Sequence, residues 1–144
     1  MKKTRLILTA ALCLLVSALC YADGTIIPVD QLPAPVKAFV KAQFPELTVA
    51  YAEKDTNEYE VRLNNGAELE FNAKGEWKKV DCKFEAVPAT IVPAAIAAYF
   101  DANLPDQKVS AIERDRGGFD IECLSGLELR FDKNGKLLKV KEED

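Results

Sequence analysis

The chain has 144 residues, 29% charged and 49% hydrophobic, with 19 basic residues against 23 acidic and no histidine. A negative balance without a basic cluster argues against nucleic acid or an anionic membrane as a partner. Without histidine, the usual catalytic triads, the common zinc ligand and the commonest general base are missing.

Residues 1–22 read MKKTRLILTAALCLLVSALCYA. Lys2, Lys3 and Arg5 precede an apolar run, and Cys20-Tyr21-Ala22 is a small-x-small ending, so a signal peptide cleaved near Ala22 is expected. The run is shorter than the roughly 20 residues a membrane span needs. Leu12 and Leu19 stand before Cys13 and Cys20, where a lipobox wants a small residue, which argues against lipidation. Export to the periplasm, or secretion, follows, with no membrane insertion after cleavage. The segment removes three basic residues and no acids, leaving 16 basic against 23 acidic, a net −7. About 122 residues remain, enough for one ordinary core.

The first predicted element of the mature chain is a helix. Leu32, Val36, Phe39, Val40 and Phe44 follow helical spacing, while Lys37 and Lys41 fall off the stripe. Pro33 and Pro35 suit only a helix start, and Phe44-Pro45 suits its end. Four strands are predicted next, near 48–54, 58–63, 67–71 and 76–83. Tyr59, Val61 and Leu63 alternate with Glu58, Glu60 and Arg62, a half-buried antiparallel pattern. Asn64-Asn65-Gly66 is a hairpin turn, and NAKGE after Phe71 suits a type I turn with a left-handed glycine and a bulge. The scheme then restarts. Val92, Ile96, Tyr99, Phe100 and Leu104 form a second helical stripe between Pro93 and Pro105, with strands after it.

The recurrence has a period of 60 without a gap. Pro28, Pro33, Ala34 and Pro45 fall on Pro88, Pro93, Ala94 and Pro105; Gly66, Glu68, Leu69, Phe71 and Gly75 fall on Gly126, Glu128, Leu129, Phe131 and Gly135. Chance explains such a register poorly, so internal duplication is expected. The predicted class is α+β: a tandem repeat of a helix plus a four-stranded antiparallel sheet, helices on one face. The units span 23–84 and 85–144, after the signal at 1–22.

These residues resemble a family. Leu-Pro at a helix start, Phe-Pro at its end, and strands around NNGAELEFNAKGEWKKVDC are similar to the PepSY-like, β-lactamase-inhibitor-like proteins exported by Bacteroides-type bacteria. The resemblance covers Pro28 to Lys141 and implies helix-plus-four-strand repeats whose sheets form a curved surface opposite the helices. It also implies a non-enzymatic periplasmic binding role, with no catalytic residues to carry over.

The residues themselves agree with a non-enzyme. Ser110 and Ser125, the mature chain's only serines, lack a nucleophile-elbow or Ser-x-x-Lys context. Glu68, Glu70, Asp120, Glu122 and Glu128 are outward strand positions, better read as a solvated face than as an acid pair. Asp132-Lys133-Asn134-Gly135 resembles the start of a calcium loop but lacks its later acids, so a hairpin turn is expected and no metal or other cofactor. Cys82 and Cys123 remain in the mature chain; a disulfide and two buried free thiols both stay open.

For function, the expectation is a binding module for a protein or peptide partner, an inhibitor or sequestering protein acting through the helix-free sheet face. The alternative is a structural or accessory subunit of a cell-envelope assembly. The glycine-bulge turns put Phe71 and Trp77 on the face toward the helices, and alternation from there puts Val80, Cys82, Phe84, Leu124, Leu138 and Val140 on the opposite face. A partner site centred on Val80, Leu138 and Val140, with Phe84, Leu124 and Trp77, is therefore predicted. A further bulge would instead return Val80 and Val140 to the core and expose Trp77.

Overall fold

The structure, a computed structural model, describes residues 24–141. The expected signal peptide and its cleavage site lie outside the described residues. Among the described residues no helix is long and apolar enough to cross a membrane.

Strand β1 (Thr25–Ile27) and a short 3-10 turn (Val29–Gln31) lead into helix α1 (Ala34–Gln43). Strands β2 (Val49–Lys54), β3 (Glu58–Leu63), β4 (Glu68–Asn72) and β5 (Trp77–Asp81) follow. Helix α2 (Ala94–Asn103) precedes β6 (Val109–Arg114), β7 (Gly118–Cys123), β8 (Glu128–Asp132) and β9 (Leu137–Lys141). From α1 and β2 onward, each element has a counterpart sixty residues later.

Prolines set the helix ends. Pro33 and Pro93 occupy the N-cap positions, where a missing N–H costs no hydrogen bond. Phe44 and Leu104 leave helical geometry before Pro45 and Pro105, each still donating its N–H to the carbonyl four residues back.

The nine strands form a single antiparallel sheet in chain order, β1 to β9. This corrects the expectation of two four-stranded sheets. Lys79, Val80 and Asp81 of β5 pair with Glu113, Ile112 and Ala111 of β6, so the two halves share a continuous ladder. Strand β1, which the sequence reading omitted, pairs with β2 and covers its outer edge.

One row of cross-strand neighbours runs Val61, Leu69, Val80, Ile112, Ile121 and Leu129, all nearly or fully buried. Both helices lie on this face. Val36, Val40, Ile96 and Phe100 join the same core, Phe39 meets Phe71 edge-on at 5.4 Å, and Tyr99 meets Phe131 at 5.3 Å. The reverse turns after β4 and β8 also reach the helices: a side chain at Gly75 would come within 3.1 Å of Pro35, and one at Gly135 within 2.5 Å of Ala95. Asn72 and Asp132 hold these turns, each accepting two backbone N–H groups through its side-chain oxygen. The Asp132 stretch is thus a hairpin turn.

Candidate interaction face

The face away from the helices is built from the alternate strand positions. One row crosses the sheet as Glu53, Glu60, Glu70, Lys79, Glu113, Asp120, Arg130 and Lys139. The adjacent row is Tyr51, Arg62, Glu68, Asp81, Ala111, Glu122, Glu128 and Lys141. Ala111 stands where its row neighbours are long and charged, and a shallow hollow of about 470 Å³ lies over it, lined by Lys79, Glu113, Asp120, Glu128, Arg130 and Lys139 among others.

The two ends of this face differ electrostatically. Toward β9, Arg130 bridges Asp115 and Asp120 at 2.8 Å each. The Arg130 hydrogen bond, with backbone N–H groups of Gly117 and Gly118, holds the Asp115 carboxyl down at about 2. Sixty residues earlier the position of Arg130 is Glu70, and the row runs Glu53–Glu60–Glu70 with no cation between them. Partial burial, then the charges of Glu53, Glu68 and Glu70, raise the Glu60 carboxyl above its ordinary value. Glu70 is raised too, by burial first, with Lys79 opposing. In the second row Glu68 is tied to Arg62 and to Lys83, which also reaches Asp81 at 2.7 Å.

The predicted apolar site is not found on this face. A bulge opposite Phe71 gives β5 one extra residue, so Lys79 faces Glu70 and Val80 faces Leu69. Val80 is therefore fully buried on the helix side, and Cys82 follows it into the core. The same bulge in β9 places Val140 opposite Leu129, on the helix side, where it remains 45% exposed because among the described residues no strand lies beyond β9. Leu138 sits in that bulge and is 57% exposed. Phe84 and Leu124 are exposed but lie beyond β5 and β7, at one end of the sheet. Trp77 packs partly against the core, with the Arg114 guanidinium 4.1 Å above its ring and donating to its carbonyl. The bulge held open as the alternative is the one present and re-aims every later side chain, but Trp77 stays packed against the core and Val140 stays exposed.

Cys82 and Cys123 are free and buried. The Cys82 N–H donates to Ser110 and Cys123 lies opposite Val109, so strand β6 runs between them. Two strand spacings come to about 9.5 Å, beyond the roughly 7 Å between Cα atoms that a disulfide tolerates. Of the two states left open for this pair, the structure has two buried free thiols.

Comparison with known proteins places these features in a context. The profile of a family described as "Putative beta-lactamase-inhibitor-like, PepSY-like" matches residues 21–71 and 57–139. Three crystal structures from Bacteroides are similar over nearly their whole length. A "putative periplasmic protein" of the DUF2874 family from Bacteroides vulgatus is 37% identical, with 85% of this chain and 99% of that one covered at a TM-score of 0.80. A "putative periplasmic protein of unknown function" from the same species is 38% identical, covering 83% and 99%, at 0.78. A "putative calcium-regulated periplasmic protein" from Bacteroides thetaiotaomicron is 38% identical, covering 83% and 98%, at 0.79. No functionally curated protein matches.

Proposed function

Because the chain belongs to the PepSY-like, beta-lactamase-inhibitor-like family, we propose that it is an exported, non-enzymatic binding protein that holds a protein or peptide partner on the helix-free face of its sheet. Its two helix-plus-four-strand units are read as an internal duplication that widens one face without building a catalytic centre. The periplasmic descriptions of its relatives support the location.

The observation that carries the reading is the Glu53–Glu60–Glu70 row. Like charges directly opposite one another destabilise a sheet. Proteins break such local rules mainly where function requires it. An open acidic end beside an end braced by Arg130 suits a partner that presents cations to the first and mixed polar groups to the second.

The test is a photo-crosslinking residue at position 60, on the face, and another at position 41, on the outer surface of α1, each in protein expressed at native level. A discrete adduct from position 60 that disappears when Glu53→Lys and Glu70→Lys are added is the expected result. Adducts from position 41 alone, or none from either site, would overturn the assignment.

A further inference from the structure

Strands β5 and β9 have the same construction. Each follows a glycine turn, carries a bulge opposite a buried phenylalanine, and then pairs in the same register: Lys79 with Glu70 and Val80 with Leu69, Lys139 with Arg130 and Val140 with Leu129. Their outer edges have different fates. That of β5 is covered by β6, and Val80 is completely buried. Among the described residues, that of β9 is the end of the sheet, and Leu138 and Val140 are exposed there. The opposite end is treated differently, since β1 occupies on β2 the place that β5 occupies on β6: Ile26 faces Glu53 as Lys79 faces Glu113. The described sheet therefore ends in two unlike edge strands, the three-residue β1 and the five-residue β9 that repeats β5.

We infer that the open edge of β9 receives an extended segment of a partner protein, added antiparallel as a tenth strand, with an acidic residue opposite Lys139 and an apolar residue opposite Val140. The molecule contains the template. Strand β6 meets β5 with Glu113 opposite Lys79 and Ile112 opposite Val80, and β9 repeats both the lysine and the valine. At the next position β5 has Asp81 facing Ala111, whereas β9 has Lys141, so the partner strand carries a second acid there. A second copy of this chain is a poorer occupant. Two β9 strands crossing antiparallel at their middle would set Lys139 against Lys139, and edge lysines of this kind block self-pairing. Backbone hydrogen bonds supply the affinity of strand addition, and alternate side chains supply its specificity. This edge is distinct from the acidic row on β2–β4, and its test does not depend on that row.

The probe is a fluorescent peptide copying residues 107–115, the β6 segment with its flanks, titrated into the mature protein and followed by anisotropy. Binding is expected to be saturable. It should tighten when the peptide carries Ala111→Glu, which faces Lys141, and weaken when it carries Glu113→Lys, which faces Lys139. The Cys82 N–H points toward β6, so residue 80, two positions earlier, donates to the same side, and the Val140 N–H points to the open edge. Val140→Pro removes that donor without touching the β8 ladder, a position where proline is tolerated. It should weaken binding by about tenfold. Val140→Thr, which keeps the N–H and the branched shape, should bind the peptide as the native protein does and guards against misreading a folding defect. No saturable binding, or equal binding by all three peptides, would overturn the inference. So would a dimer in sedimentation that Val140→Pro dissolves, because it would assign the edge to a second copy.

Discussion

Glycine at position 135 meets two demands at once. Its φ is +82°, in the left-handed region, and a Cβ there would stand 2.5 Å from that of Ala95 at the start of α2. Gly66 has a similar φ of +89° but open space around it. Gly66→Ala should therefore cost only the backbone term, about 1 kcal/mol. Gly135→Ala must also push the turn off the helix and should cost about 3 kcal/mol. Paired urea melts measure the difference, and equal losses would mean that the turn–helix contact yields freely. The buried thiols make a second residue-scale prediction. Burial pushes both up to about 11 from an ordinary 9.0, with Asp81 and Glu85 adding to Cys82 and Glu122 to Cys123. Below pH 9 their contribution is fully present. As pH rises from 9 to about 11, the unfolded chain loses protons that the folded chain keeps, and stability falls by on the order of 2 kcal/mol per thiol. That alkaline loss should be smaller in the Cys82→Ala, Cys123→Ala double variant. Raised thiols are also poor nucleophiles, so alkylation at neutral pH should be slow until the protein unfolds.

At the scale of elements, the glutamate row makes a prediction of its own. Ionised Glu60 costs more in the folded sheet than in the unfolded chain, because its pKa is raised. The penalty is absent well below the ordinary glutamate value and is complete once pH has passed the raised one. Glu60→Gln should therefore stabilise the protein by about 0.5 kcal/mol at pH 7, with the gain vanishing in acid. A loss at pH 7 would show that Glu60 is satisfied by contacts its neighbours do not reveal. The elements themselves were legible to different degrees. Both helices and strands β3, β4, β7 and β8 could be read because prolines bracket the helices, glycine turns bracket the hairpins, and apolar residues alternate cleanly between them. The run WKKVD was placed as a strand near 76–83, but its faces were not legible, since its two lysines show no period and one extra residue at the turn reverses every face after it. Val80, the proposed centre of the partner site, was misassigned for that reason alone. Strand β1 was missed because three residues carry no pattern; alternation placed Glu68, Glu70, Asp120, Glu122 and Glu128 outward, but not which charges meet, because cross-strand neighbours are set by register rather than by spacing within one strand.

The whole molecule is joined at β5 and β6, a contact between segments about thirty residues apart that neither half announces. Each half would be a marginal fold of about 60 residues, and the junction is where each supplies what the other lacks. Val80 from the first half is covered by β6 of the second, and the Trp77 ring lies beneath Arg114. Residues of both helices and all four central strands belong to one buried cluster. Unfolding should therefore be a single transition. Trp77 is the only tryptophan and sits at the junction. Its fluorescence should lose the folded signal at the same urea concentration as far-UV dichroism, which reports both halves. Ile112→Ala, on the far side of the junction and fully buried, should cost about 2–4 kcal/mol and move both midpoints together. A fluorescence transition that shifts while part of the dichroism stays in place would mean that the two units fold separately and that the continuous sheet is only an arrangement of independent halves.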